Sequence, residues 1–284
     1  RIHPSMTAMN VGFVCAKVAL GLAVVGLPAH AAVVNLTTWT AESYAAVSGF
    51  GAGVWTVAGG GGSVTQSVNG QPTMFYSDFN AQGTTVSGKI RVTGSDDDYV
   101  GFVLGFNPGS STSSTADYLL VDWKRGTQFF DFGAPSSSPG GNALSGLAVS
   151  RVSGIPDADE FWQHKNLGGT SAANGVTELA RGATLGATGW NTNTDYTFKF
   201  DFGPSNLRVY VDNVLQLDVA GSFADGRMGF YNFSQAGVTY SAFSVDPGPF
   251  PPRDPNTSVP DSGSASVLMG LALGGLALLR RKMA

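Results

Sequence analysis

Three consecutive carboxylates, Asp96, Asp97 and Asp98, are the residues whose type and spacing point most directly to chemistry. Adjacent negative charges repel one another unless water solvates them or a cation neutralises them. Calcium is the natural partner, because it accepts six to eight oxygen ligands in loose geometry. A solvated acidic turn is the alternative explanation for the same triplet.

Catalytic arrangements find less support in the sequence. A glycoside hydrolase needs two carboxylates that flank the glycosidic bond, but Glu42, Glu160 and Glu178 are the only glutamates and none lies in a Glu-x-Asp-x-x-Glu strand. We interpret the cluster 157–160 as a solvated loop. His164 is the sole histidine between residues 32 and 260, which disfavours a catalytic triad or a histidine-based zinc centre. We therefore predict that the protein is not an enzyme.

Three of the five tryptophans, Trp123, Trp162 and Trp190, leave a carbohydrate-binding role open, because an exposed indole can stack on a sugar ring. Core or strand packing is the commoner role of such residues.

The net charge argues against nucleic acid as a partner. The chain has 16 basic and 20 acidic residues. Residues 32–260 contain 11 of the basic and 19 of the acidic residues, so this segment has a net charge of −8. A nucleic-acid-binding protein would normally carry the opposite sign.

Alternating apolar residues predict that strands position these side chains. Tyr196, Phe198, Phe200 and Phe202 share one face of a predicted strand, and two shorter strands follow it across tight turns to form a meander. At least six further strands are predicted, among them Tyr99–Phe106 directly after the acidic triplet, whereas helical periodicity is essentially absent. Many short strands with glycine-rich turns predict an all-β fold, a two-sheet jelly-roll sandwich over residues 33–246.

Both ends of the chain have the composition of targeting segments. Residues 1–31 are predicted to form a signal peptide, with Lys17 before the apolar run Val18–Leu27 and cleavage after Ala31; a buried helix is the alternative. Cys15 lies within it, so we expect neither a disulfide nor a cysteine metal site in the mature protein. Residues 247–258 form a proline-rich linker. Residues 259–284 combine Val-Pro-Asp-Ser-Gly, a short apolar segment and a basic tail.

That C-terminal layout resembles the PEP-CTERM class of bacterial sorting signals in its VPDSG variant. The resemblance implies recognition by exosortase, transient membrane anchoring through the short transmembrane segment, and display on the cell surface or in the extracellular matrix. A plain tail anchor is the alternative. In either case the sequence predicts contact with the membrane only through this tail.

Four segments, in order, resemble the thrombospondin C-terminal domain. They are Asp96–Phe106, Val121–Gln128 with its Trp-Lys pair, Phe161–His164, and Gly226–Gln235 with a closing Phe-Ser-Gln. The resemblance implies a concanavalin A-like, L-type-lectin-like sandwich that binds calcium and has an adhesion role. The epidermal-growth-factor-like modules and calcium repeats of that family are not found in this sequence, so receptor binding does not transfer.

Carried over by position, Asp96, Asp97 and Asp98 fall on the family's metal-associated acidic motif. We expect Asp96 and Asp98 to contribute most, because alternate residues can face one ion, and Asp78 and Asn80 to reach the same end as further oxygen donors. The leading hypothesis is an exported calcium-binding sandwich that contacts a matrix protein. The alternative is a carbohydrate-binding module for extracellular polysaccharide, and a glycoside hydrolase ranks third.

Overall fold

A computed structural model describes residues 31–47, 49–134, 136, 139–168 and 175–246. The predicted signal peptide, linker and sorting signal, apart from Ala31, lie outside these residues. Among the residues described, no helix is long and apolar enough to cross a bilayer.

Strands make up most of the described chain. In chain order they are β1 Ala32–Val33, β2 Thr40–Ser43, β3 Trp55–Val57, β4 Ser63–Gln66, β5 Thr73–Asn80, β6 Thr84–Val92, β7 Tyr99–Phe106, β8 Asp117–Lys124, β9 Gln128–Phe130, β10 Gly141–Ala143, β11 Gly146–Ser153, β12 Gly175–Arg181, β13 Asp195–Phe202, β14 Asn206–Val211, β15 Val214–Ala220, β16 Arg227–Phe233 and β17 Val238–Asp246. One α-helix, α1, spans Ala158–Gln163, and short 3-10 turns occupy Leu36–Thr38 and Ser110–Thr112.

Two antiparallel sheets form a β-sandwich, which confirms the predicted all-β, two-sheet fold class. The first sheet has the order β15-β14-β13-β6-β17-β4-β3, with β1 added to β17, and the second has the order β12-β11-β8-β7-β16-β5-β2. The short pair β9–β10 stands apart from both sheets. The predicted meander is β13–β15, and Asp212 and Asn213 make its tight turn with φ of 48° and 65°. Those positive values suit a two-residue hairpin turn.

The main core lies between the two sheets, where alternating side chains from both inner faces meet. Phe198, Phe200 and Phe202 of β13 point into it as their period-two pattern predicts. The opposite face of the second sheet is also buried, because α1, β9–β10 and the segment after β2 cover it with a second apolar cluster. Strand β7 is consequently buried on both faces along its whole length.

Helix α1 corrects the sequence-based interpretation of residues 157–160 as a solvated loop. Asp157 is the N-cap of the helix, and its carboxylate accepts a hydrogen bond from the Glu160 backbone N–H (3.0 Å). The Glu160 carboxylate in turn accepts from the backbone N–H of Asp157 (2.9 Å), which completes a capping box. Glu160 is fully buried, and its carboxylate also accepts a hydrogen bond from the Leu167 backbone N–H (2.9 Å). The carboxylate therefore links the start of α1 to the segment that follows the helix.

Candidate functional site

The acidic triplet lies in the loop that leads into β7, at one end of the second sheet. One carboxylate oxygen from each of Asp96, Asp97 and Asp98 lies within 4.8 Å of the others. Asp96 and Asp97 are partly exposed, whereas Asp98 is buried. The structure therefore brings together three of the five predicted ligands, and it turns them toward two different environments.

Asp98 faces a buried cation supplied by the protein itself. Its Oδ1 lies 2.5 Å from Nζ of Lys124, a side chain that is fully buried at the end of β8. Burial raises the pKa of the Asp98 carboxyl, and the Lys124 ammonium works against that rise by favouring the charged form. Lys124 also donates to the Asp97 backbone carbonyl (3.2 Å) and to Oε1 of Gln128 (3.2 Å), and it lies 4.4 Å from the Trp162 ring centroid.

This ion pair means that the protein itself supplies part of the positive charge that the triplet was expected to need, and Lys124 would compete with a metal ion for Asp98. Lys124 neutralises one of the three carboxylates, so three negative charges and one positive charge leave a formal charge of −2. Nζ of Lys124 is farther from the Asp97 carboxylate, at 3.8 Å from Oδ1. Asp97 thus shares the ammonium only weakly, and the net negative charge of the triplet lies with Asp96 and Asp97, on the solvent side of the loop.

Neighbouring loops fix the shape of the triplet. Asp96 accepts a hydrogen bond from Nδ2 of Asn69 (2.6 Å) and one from the Asp97 backbone N–H (3.0 Å). The Asp98 backbone N–H donates to Oε1 of Gln235 (3.1 Å), and its carbonyl accepts from Nε1 of Trp190 (3.1 Å). These bonds hold the loop in one conformation from three directions.

Gly126 leaves room for the carboxylate of Asp97. The backbone N–H groups of Arg125 and Gly126 donate to the Asp97 carbonyl. A β-carbon on Gly126 would lie 2.2 Å from Oδ2 of Asp97, which is far inside van der Waals contact. Glycine at this position therefore lets the Asp97 carboxylate lie where it does.

Asp78 and Asn80 lie at the opposite end of the sheet from the triplet. The expectation that they reach the same end is therefore wrong, and the strand register shows why. Asn80, the last residue of β5, pairs with Arg227, and Arg227 pairs with Phe106, the last residue of β7. The triplet precedes the first residue of β7, and seven residue steps at about 3.4 Å place the two groups roughly 24 Å apart. Nδ2 of Asn80 instead donates to Asp225 (3.0 Å).

A second charged cluster, which the sequence did not predict, is buried under α1. Nε2 of His164 lies 2.9 Å from Oδ2 of Asp122, and Nδ1 lies 3.2 Å from Oε2 of Glu178. Arg181 donates two hydrogen bonds to Glu178, at 2.9 and 2.8 Å. Burial alone would lower the pKa of His164, but the two carboxylates outweigh burial and raise it to about 9. The imidazolium therefore ties α1 to β8 and β12.

Glu178 is the solvent-side carboxylate of this cluster. Partial burial works to raise its pKa, but hydrogen bonds from His164 and Arg181 outweigh that effect and lower the pKa to about 2. The only sequence signals for the cluster were the Trp-x-His segment and the scarcity of histidine, and neither identified a partner. The contacts run in a series from Asp122 through His164 and Glu178 to Arg181, so this cluster stabilises the covering layer.

The tryptophans considered for sugar stacking are buried. Trp123, Trp162 and Trp190 are each 1% exposed. Nε1 of Trp123 donates to the Thr188 carbonyl (2.6 Å), while the Trp162 ring packs against Lys124. None of the three presents a ring face to solvent, so their role is packing.

Comparisons with known proteins identify the family of the chain. A family model for the thrombospondin C-terminal region matches residues 51–247. The chain belongs to that family. A second model, for the VPDSG-CTERM motif, matches residues 258–283 and indicates an exported protein sorted to the cell envelope. Membership in the thrombospondin C-terminal family indicates a non-catalytic binding domain.

Two curated thrombospondins illustrate the relationship. Thrombospondin-3b of Danio rerio is 27% identical over 198 residues, which cover 66% of this chain and 20% of that protein. Thrombospondin-2 of Gallus gallus is 28% identical over 200 residues, which cover 66% of this chain and 16% of that protein. The chain thus spans about a fifth or less of the length of these relatives.

Among solved structures, the carbohydrate-binding module CBM66 from Bacillus subtilis aligns with 75% of this chain and 97% of its own. The TM-score is 0.48 at 13% sequence identity.

Proposed function

We propose that the Asp96–Asp98 loop binds calcium and that the protein acts as an exported, calcium-stabilised β-sandwich with an adhesive or structural role outside the cell. The observation that carries the proposal is the convergence of three carboxylates within 4.8 Å while Lys124 balances only one of them. Membership in the thrombospondin C-terminal family, whose domains bind calcium, supports the choice of ion.

The donor set fits a hard divalent cation. Asp96 and Asp97 are partly exposed and carry the uncompensated charge, and carboxylate oxygens are preferred calcium ligands. Water would fill the remaining coordination positions, because calcium accepts more oxygen atoms than two carboxylates provide. The Lys124 ammonium prevents close approach on the inner side, so the ion would bind on the outer side of the loop.

Calcium would stabilise the fold because the unfolded chain does not hold these carboxylates together. A ligand that binds only the folded state adds about 2.7 kcal/mol to the free energy of unfolding at one hundred times its dissociation constant. Thermal unfolding of the protein in calcium and in EGTA tests this. We expect a higher melting temperature in calcium, and no such shift in a variant that carries both Asp96→Asn and Asp97→Asn.

Asp78→Asn is the matched control, since it removes one carboxylate at the far end of the same sheet. That variant should keep the full calcium shift. An equal shift in the wild-type protein and in the Asp96/Asp97 double variant would assign the ion to another place. Equal melting temperatures in calcium and EGTA for the wild type would contradict the proposal altogether.

The proposed location follows from the sorting motif at residues 258–283. Such a signal would leave the sandwich on the outer side of the membrane, where it could contact matrix protein or polysaccharide. Added protease should degrade the protein on intact cells of an organism that has the sorting enzyme. Complete protection, with degradation only after lysis, would contradict display.

A further inference from the structure

A cavity of about 380 Å³ opens beside α1 and belongs to neither charged cluster. The segment after β2, including Tyr44, forms one wall, and the start of α1, including Phe161, forms another. The rings of Tyr44 and Phe161 pack edge to face at 4.8 Å, and the Tyr44 hydroxyl is hydrogen-bonded to that of Tyr118 (2.9 Å). The walls are therefore fixed by buried packing, and a cavity of this size is large enough for a small molecule.

Two buried polar side chains in the lining have no hydrogen-bond partner among the residues described. Ser111 is 5% exposed, and its hydroxyl makes no such bond, although its backbone N–H is held by the Glu42 carboxylate (2.8 Å). Gln71 is 2% exposed, and its side-chain Nε2 is buried without a hydrogen-bond partner. A buried N–H without a partner, such as that of Gln71 Nε2, costs free energy, and an acceptor in the cavity would remove that cost.

Charge limits the class of ligand. No lysine, arginine or histidine is among the described residues that line the cavity, and Asp157 is the one charged residue there. The Asp157 carboxylate already accepts the capping hydrogen bond of α1. An anionic ligand would lose its hydration in this cavity without gaining a positive partner, which is unfavourable.

We propose that this cavity binds a small, uncharged and mainly apolar molecule that carries one hydrogen-bonding group, such as a carbonyl, a hydroxyl or an aromatic amine. The apolar body would fill the space between the Tyr44 segment and α1. The polar group would pair with Ser111 or Gln71. An amide can present either its oxygen or its nitrogen after a half-turn of the side chain, so Gln71 can accept or donate.

Two fluorescent probes with the same ring system test the proposal on the full-length protein. Phenylnaphthylamine is neutral and carries one N–H, whereas anilinonaphthalene sulfonate adds a negative charge. We expect saturable binding of the neutral probe, and binding of the sulfonate that is at least about tenfold weaker, because it must bury an unpaired charge.

Variants then locate the binding. Ala46 lies on the exposed rim of the cavity, so Ala46→Trp should block entry without disturbing the core and should lower the affinity of the neutral probe at least about tenfold. Ala220→Trp, on the exposed part of β15, is the matched control and should bind like the wild type. Ser111→Ala should weaken binding about fivefold if its hydroxyl pairs with the probe.

Several outcomes would overturn the proposal: no saturable binding of the neutral probe, equal affinity in Ala46→Trp and Ala220→Trp, or a sulfonate that binds as tightly as the neutral probe. If the wild type and Ala220→Trp were dimers in solution and Ala46→Trp were a monomer, the cavity would instead be the contact surface for a second copy of the chain. Ser111→Ala and Gln71→Leu together separate a packed apolar site from the proposed polar contact, because unchanged affinity in both variants would remove the polar part of the proposal.

Discussion

Replacing Lys124 with methionine should destabilise the fold severely, because it removes the buried cation that pairs with Asp98. The side chains of Lys124 and Asp98 are 0% and 4% exposed and lie 2.5 Å apart. Breaking a buried ion pair from one side typically costs about 3–5 kcal/mol, since the remaining charge is buried without compensation. Methionine keeps a similar length and apolar stem, so lost packing should add little.

The assay is urea-induced unfolding of the two proteins across a range of pH. Burial raises the pKa of Asp98, and loss of the ammonium should raise it further. Protonation at lower pH would then remove the unpaired charge, so the difference in free energy of unfolding should shrink as the pH falls from 7 toward 4. Lys89→Met, which removes an exposed lysine on β6, is the control and should change stability by less than about 1 kcal/mol.

A loss of less than about 1 kcal/mol in Lys124→Met at neutral pH would refute the reasoning. A large loss that does not change with pH would also refute it, because the penalty would then come from packing and not from the Asp98 charge.

Three further predictions address the other clusters. The pKa of His164 is raised in the folded state to about 9 from an ordinary value of 6.5, so the stability that its protonation contributes should be complete below pH 6.5 and should disappear as the pH rises through 9. The free energies of unfolding of the wild type and His164→Gln should therefore differ by about 3 kcal/mol more at pH 6 than at pH 10, and a difference that does not change with pH would count against the imidazolium. Gly126→Ala should displace the Asp97 carboxylate, because the added β-carbon would lie 2.2 Å from its Oδ2. The melting temperature should therefore fall more in calcium than in EGTA, and an equal fall under both conditions would argue against an ion at Asp97. Glu160→Gln should lower the free energy of unfolding by about 1–2 kcal/mol, because the Glu160 carboxylate caps α1. If the wild type hydrolysed a polysaccharide and this variant did not, a purely structural role of Glu160 would be contradicted.

The fold was predictable from the sequence because strand patterning is local. The aromatic residues Tyr196, Phe198, Phe200 and Phe202 alternate within one strand, and the structure places the three phenylalanines in the core. The acidic triplet was equally local, since adjacent residues in one loop stay together whatever the tertiary structure.

Features that depend on strand register could not be predicted in this way. Lys124 meets Asp98 because β8 pairs antiparallel with β7, 26 residues away in the sequence. The same register separates Asp78 and Asn80 from the triplet by the length of a strand. A single sequence does not fix which strands pair or how far they are displaced, so neither result was within reach of patterning alone.

The covering layer on the second sheet was missed for a different reason. Helix α1 has only six residues, too few for a helical period to stand out, although the Asp157 and Glu160 spacing is that of a capping box. Its burial explains why Trp162 and His164 face the protein interior and not a ligand.

The most direct test of the central claim is a high-resolution crystal structure of the protein grown in calcium, with anomalous data to identify the ion. The account predicts a calcium ion on the outer side of the loop, about 2.3–2.6 Å from carboxylate oxygens of Asp96 and Asp97, with Lys124 still paired to Asp98. Asp96 and Asp97 carboxylates surrounded by water alone at saturating calcium would contradict it.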